Sequence, residues 1–115
     1  MTNKEVLKNN IIKFLNSALI VYNTKDFTSA TILYFKAFFA VLDLILLNKE
    51  GKIPKGHTER FRILEKNHPA LYEAIDKLYP IYRNTYTASV NKEICDKIKE
   101  NVERIIKEQG IFESN

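Results

Sequence analysis

Apolar positions recur every three or four residues along most of this chain of 115 residues. That is the spacing of one face of an α-helix. Ala30–Leu47 departs from the pattern. Fifteen of its eighteen residues are apolar, the exceptions being Thr31, Lys36 and Asp43. A helix this apolar around its circumference has to be covered on several sides. It reads as the central helix of a bundle, with one flank left over for a partner chain. A membrane span is the rival reading, because about 20 apolar residues cross a bilayer. Lys36 and Asp43 argue against it, since a charge at mid-bilayer costs at least about 2.5 kcal/mol. They lie two helical turns apart and so share one face, a narrow polar edge of a soluble bundle.

The flanking segments are amphipathic. Thr2-Asn3-Lys4-Glu5 has the spacing of a capping box. Leu7, Ile11, Leu15, Ala18 and Tyr22 then predict a helix over about residues 4–23. Asp26, Thr28 and Ser29 are competent caps for the apolar helix, which should run to about Asn48. Lys49 to His57 holds two of the three glycines and a proline and reads as a connection. Thr58 can cap a short third helix carrying Phe61 and Leu64, and His57 can assist. Pro69 opens a fourth helix bearing Leu71, Ile75, Leu78, Tyr79 and Tyr82, with Pro80 expected to kink it. After a break at 87–91, Ile94, Ile98, Val102 and Ile105 mark a last helix over about 91–109. On its wet side Glu93–Lys97, Glu100–Arg104 and Glu103–Lys107 are candidate ion pairs. The fold class is therefore all-α, a single domain forming a four-to-five-helix up-and-down bundle.

Composition fits a soluble globule, with 45% apolar and 28% charged residues. The one cysteine, Cys95, excludes an intrachain disulfide and reads as a small core residue. The polar, basic N-terminus resembles no signal peptide, so a cytoplasmic protein without membrane attachment is expected. The net charge of +4 is uneven. Residues 49–66 hold six Lys/Arg against three acids, while residues 67–115 hold seven against eight. The positive excess around one connection can attract phosphates or an acidic partner, although plain solubility is the commoner reason for so modest an excess.

Most catalytic patterns are absent. There is no Gly-rich phosphate loop, no paired metal-ligating histidines and no nucleophile–base set, so neither a metal nor a cofactor is expected. The unusual segment is Tyr79–Tyr86, with three tyrosines, Arg83 and Asn84 around a proline. An arginine near a helix end beside phenols can hold a phosphate while tyrosines stack on bases. Equally, the tyrosines can be core residues with wet hydroxyls and Arg83 can pair with Asp76. His57 and His68 are the available general bases, their unperturbed pKa lying near neutrality.

Taken together, Lys25 to Ile106 resembles a HEPN domain, the small helical module of prokaryotic toxin–antitoxin pairs and nucleotidyltransferase-associated proteins. The resemblance is carried by Thr28-Ser29-Ala30 leading into Leu33-Tyr34-Phe35-Lys36-Ala37. It continues through Leu42–Leu47 before Gly51-Lys52, the helix start at His57, and Arg83-Asn84. Active members are metal-independent ribonucleases with an Arg, often a polar residue next, and a His after four to six intervening residues. Arg83-Asn84 matches the first two positions, but Ala88, Ser89 and Val90 occupy the places where the histidine belongs. Some members carry a tyrosine after the Arg; Tyr86 is near that place but earlier.

The resemblance implies a homodimer whose Arg motifs meet in a cleft, a nucleotidyltransferase partner, and RNA or nucleotide as ligand. It further implies no ribonuclease activity of the chain's own. Arg83 would bind phosphate, Asn84 would orient it and Tyr86 would pack or donate. The alternatives are an active ribonuclease using Arg83 with His57 or His68 as its base, and a structural helical adaptor.

Overall fold

The computed structural model describes residues 1–113, and these form five helices. They are α1 (Asn3–Asn23), α2 (Phe27–Glu50), α3 (His57–Asn67), α4 (Pro69–Asn84) and α5 (Lys92–Glu108). Each start has a local cause. Thr2 and Glu5 close a reciprocal capping box on α1, Asp26 accepts from the Ser29 amide at α2, and Asn91 accepts from the Ile94 amide at α5. These caps satisfy amides that the first turn of a helix leaves free. Helix α2 stops at Gly51, whose φ of 77° is the left-handed conformation that glycine adopts without strain.

One expected start differs, and the fourth helix continues past its inner proline. Helix α3 begins at His57, with Gly56 at the cap position and no side-chain cap, so Thr58 lies inside the first turn. Helix α4 runs unbroken through Pro80. The carbonyl of Asp76 loses its ladder partner there, and both residues are exposed, so water can replace the bond.

Helix α2 is the axis of the molecule. It packs on α1, α5 and α4, while α3 packs mainly on α4. Every residue from Ala37 to Leu46 is buried. Ten consecutive residues point in all directions around a helix, so no flank of this segment is left for another chain. The surplus apolar surface expected to await a partner is covered by the chain itself. α2 is long and apolar enough to cross a membrane, yet here its apolar surface is spent on packing. Large apolar side chains are left outside on α1 instead, where Ile12, Leu19 and Ile20 are exposed, Ile20 by 67%.

Helices α1 and α5 are tied together beside α2. The Tyr22 hydroxyl donates to Asp96 Oδ1 at 2.5 Å, and Lys99 and Lys92 place their ammonium groups 5.2 and 5.8 Å from the centre of the Tyr22 ring. The ion pairs on α5 are therefore not the expected ones. Lys92–Asp96, Lys99–Glu103 and Arg104–Glu108 form, each with the cation first. For Lys92 and Lys99, contact with Tyr22 outweighs the preferred order, which is worth only about 0.2–0.5 kcal/mol per pair in isolated helices. Cys95 is buried as expected, and burial pushes its thiol pKa up, leaving it unreactive.

Phe35 and Phe38 are fully buried and sit 6.5 Å apart in a stacked arrangement. Phe35→Ala or Phe38→Ala should cost about 3–5 kcal/mol in urea unfolding, whereas Ile20→Ala should change stability by less than about 0.5 kcal/mol.

Candidate functional site

Three helices contribute to one polar and aromatic wall. On α2, Ile32, Lys36, Phe39 and Asp43 succeed one another at intervals of four, three and four residues, along one face. On α4 and the turn after it, Tyr79, Tyr82, Arg83 and Tyr86 follow at intervals of three, one and three residues and make a broader face. Helix α3 adds His57 and Arg60.

The wall is anchored in the core. Asp43 is the only acid inside the apolar run of α2, and it is buried. A buried carboxylate has to be paired, and Arg60 pairs it with both prongs of its guanidinium. Nε lies 2.7 Å from Oδ1 and Nη2 lies 2.9 Å from Oδ2. The same guanidinium sits over Phe39, its carbon 5.1 Å from the ring centre. Its third nitrogen, Nη1, reaches His57 Nδ1 at 2.7 Å.

This last contact fixes a proton. A guanidinium has only donors, so Nδ1 must accept. His57 is therefore the neutral ring carrying its hydrogen on Nε2. Its pKa is lowered from 6.5, first by burial, then by the Arg60 charge, with Lys36 adding to the effect and Asp43 opposing it. The His57 ring packs 4.6 Å from Phe39, 5.5 Å from Tyr79 and 6.3 Å from Tyr82, centre to centre.

Beside these tyrosines opens a shallow cleft of about 370 Å³, lined by Ile32 and Lys36 from α2 and by Tyr79, Tyr82, Arg83, Thr85 and Tyr86. Lys36 and Arg83 are both exposed, and among the described residues neither has an acidic partner within 4 Å. The alternative pairing of Arg83 with Asp76 is thus not formed. Tyr86 is 96% exposed. Two unpaired cations beside aromatic rings suit an anion attached to a flat group.

The sequence-predicted residues fall into three places. Arg83 and Tyr86 share the cleft. Asn84 lines a neighbouring groove with Ile81, Val90 and Ile94. His68 caps the opposite end of α4, its Nε2 lying 3.4 Å from Glu50 Oε1. Fifteen residues of helix separate it from Arg83, about 22 Å at 1.5 Å per residue. His57 does not cap α3 but stands on the wall behind the cleft.

Lys36 and Asp43 stand out in sequence as one polar edge that is either wet or turned toward Arg83. Lys36 is exposed in the cleft with Arg83 while Asp43 is buried behind it, and Arg60 is not recognisable from sequence as a site residue. A lone Asp in an apolar run does demand a cation, but residues 49–66 offer six. Only the fold selects Arg60. Among the described residues no group of three or more His, Cys, Asp or Glu side chains is placed to hold a metal. In comparisons with protein-family models, with curated proteins and with solved structures, none matches the chain.

Removing one member of the buried pair leaves the other charge uncompensated. Asp43→Ala should lower stability by about 3–5 kcal/mol in urea unfolding, while Lys36→Ala, at an exposed position, should change it by less than about 0.5 kcal/mol. The His57 pKa is depressed in the folded state, so the unfolded chain binds its proton first as pH falls. The stability this residue contributes is complete above 6.5 and is lost as pH falls through the lower folded value. His57→Gln, whose amide oxygen can still accept from Arg60, should flatten that part of the pH–stability curve between pH 7 and 5. A curve identical to the parent's would contradict this.

Proposed function

We propose that the chain is a HEPN-like binding protein for RNA or nucleotides, that it does not itself hydrolyse RNA, and that it works with a small nucleotidyltransferase in a toxin–antitoxin-like system. The observation that carries the binding reading is the convergence of Lys36 and Arg83, both exposed and without acidic partners, on a cleft walled by Tyr79, Tyr82 and Tyr86. Two exposed cations beside phenol rings suit a phosphate joined to a base, the charge meeting the cations and the ring stacking on the phenols. Arg83, the residue on which the resemblance to HEPN domains chiefly rests, lies in this cleft.

The absence of hydrolysis is supported by the state of the two histidines. A general base needs a free lone pair within hydrogen-bond reach of its target. The lone pair of His57 Nδ1 is taken by Arg60, and Nε2 carries the hydrogen. His68 lies at the far end of α4 from Arg83. Neither is free, within one chain, to act as the base for a substrate on Arg83. For the protein partners, a second copy or a nucleotidyltransferase, the support is the exposed Ile12, Leu19 and Ile20 on α1. Ile12 and Leu19 lie seven residues apart on one side of α1 with Ile20 beside them, apolar side chains that a partner's surface can cover.

The test is binding of a fluorescein-labelled single-stranded RNA, followed by anisotropy across a salt series. Arg83→Ala and Lys36→Ala should each weaken binding and reduce the slope of log K against log salt by about 0.7, the share of one phosphate on a single strand. The labelled RNA should stay intact on a gel throughout. Cleavage without added metal, abolished by Arg83→Ala, would reinstate the ribonuclease. If no RNA or nucleotide binds and both variants change only stability, the chain is an adaptor.

A further inference from the structure

The Asp43–Arg60–His57 chain of hydrogen bonds ends at the back of the cleft. The ion pair satisfies Asp43, and His57 Nδ1 gives the buried Arg60 guanidinium an acceptor for its remaining nitrogen. The same contact has a second consequence, a hydrogen fixed on Nε2. His57 is at the surface, and its ring contacts both Tyr79 and Tyr82, the residues that also line the cleft. Lys36 stands one helical turn before Phe39, on which the His57 ring packs at 4.6 Å. The Lys36 ammonium is near enough to His57 to be among the charges that lower its pKa.

We infer that His57 is a third ligand contact of the cleft, one that donates its Nε2 hydrogen to an acceptor oxygen on a nucleotide whose phosphate lies between Lys36 and Arg83. Arg60 and Asp43 are its positioning residues. They touch no ligand and act only by holding the tautomer. The inference rests on the nucleotide-binding reading above and narrows it. The site selects a phosphate joined to a group bearing a second acceptor, as in a nucleotide of a single strand, over inorganic phosphate alone. A histidine free to rotate and to take either tautomer would offer a lone pair for part of the time. The locked ring offers only the hydrogen, and an acceptor pays no reorganisation to meet it.

Two measurements test this. Long-range proton–nitrogen NMR of the free protein at pH 7.5 should find His57 neutral with its hydrogen on Nε2. In the paired variant Asp43→Leu with Arg60→Met, which removes both buried charges together and so leaves none unpaired, the ring should become a mixture of tautomers. A hydrogen on Nδ1 in the parent would overturn the inference before any ligand is added.

The second measurement uses a fluorescein-labelled eight-nucleotide oligouridine, with inorganic phosphate as competitor. His57→Ala should weaken oligouridine binding by about tenfold, the scale of one hydrogen bond to a charged or strongly polar ligand group. His57→Gln, which can accept from Arg60 and donate outward, should recover most of that loss. Competition by phosphate should be weak for the parent and no weaker for His57→Ala. If His57→Ala binds like the parent while Arg83→Ala has lost binding, the cleft reading stands and the role of His57 falls. If Arg83→Ala and Lys36→Ala also bind like the parent, the cleft reading falls and takes this role with it.

Discussion

An aspartate in the middle of the most apolar helix sets much of this structure. Asp43 lies within an unbroken run of buried residues, where an unpaired carboxylate would be costly. The fold meets that demand from α3, which supplies Arg60 with two-pronged geometry at 2.7 and 2.9 Å. The pair does more than neutralise charge. A fork meeting a carboxylate in one plane allows little sliding, so it fixes the rotation and register of a short helix against a long one. Replacing such a pair by apolar residues often costs nothing in stability, so specificity of arrangement is its better explanation. The guanidinium also has one nitrogen to spare, and the tautomer of His57 follows from it.

The wall in front of that pair comes from simple periodicity. A four–three–four spacing on α2 puts Ile32, Lys36, Phe39 and Asp43 in line, and α4 answers with Tyr79, Tyr82, Arg83 and Tyr86. Where the two lines meet in the interior, rings fill the space, as with Phe39 and Tyr82 at 5.2 Å. Where they diverge toward the surface, the same lines leave two cations and a phenol around an open cleft. Core and candidate site are thus consecutive turns of the same two helices. A change in packing around Phe39 therefore moves both His57 and Tyr82, the two groups that border the cleft from behind.

Surface chemistry elsewhere is set by weaker terms. On α5 two of the three ion pairs take the less favoured order where Lys92 and Lys99 also lie near the ring of Tyr22, which is hydrogen-bonded to Asp96. The Tyr22 hydroxyl, followed by the Lys92 ammonium, holds the Asp96 carboxyl below the usual carboxylate range. Each such contact is small. Together they join α1 to α5 across the flank of α2 and leave the outward apolar residues of α1 uncovered.

Periodicity, caps and breakers by themselves determined the helical class, a count of four to five helices, and the limits of each to within a few residues. These features are local: a cap, a glycine or an apolar stripe acts on its own turn of helix, so each is readable where it stands. The capping box at Thr2 and Glu5 and the burial of Cys95 could be read this way. The partners of charged groups could not. Asp43 had six nearby cations to choose from in the following segment, and Arg83 had Asp76 within two turns. Which pair forms depends on desolvation and on how helices distant in sequence are turned toward one another. The tertiary structure therefore decided that Arg60 is buried and Arg83 is free, that α2 keeps no flank in its buried segment for another chain, and that Lys36 and His57 belong with the tyrosines.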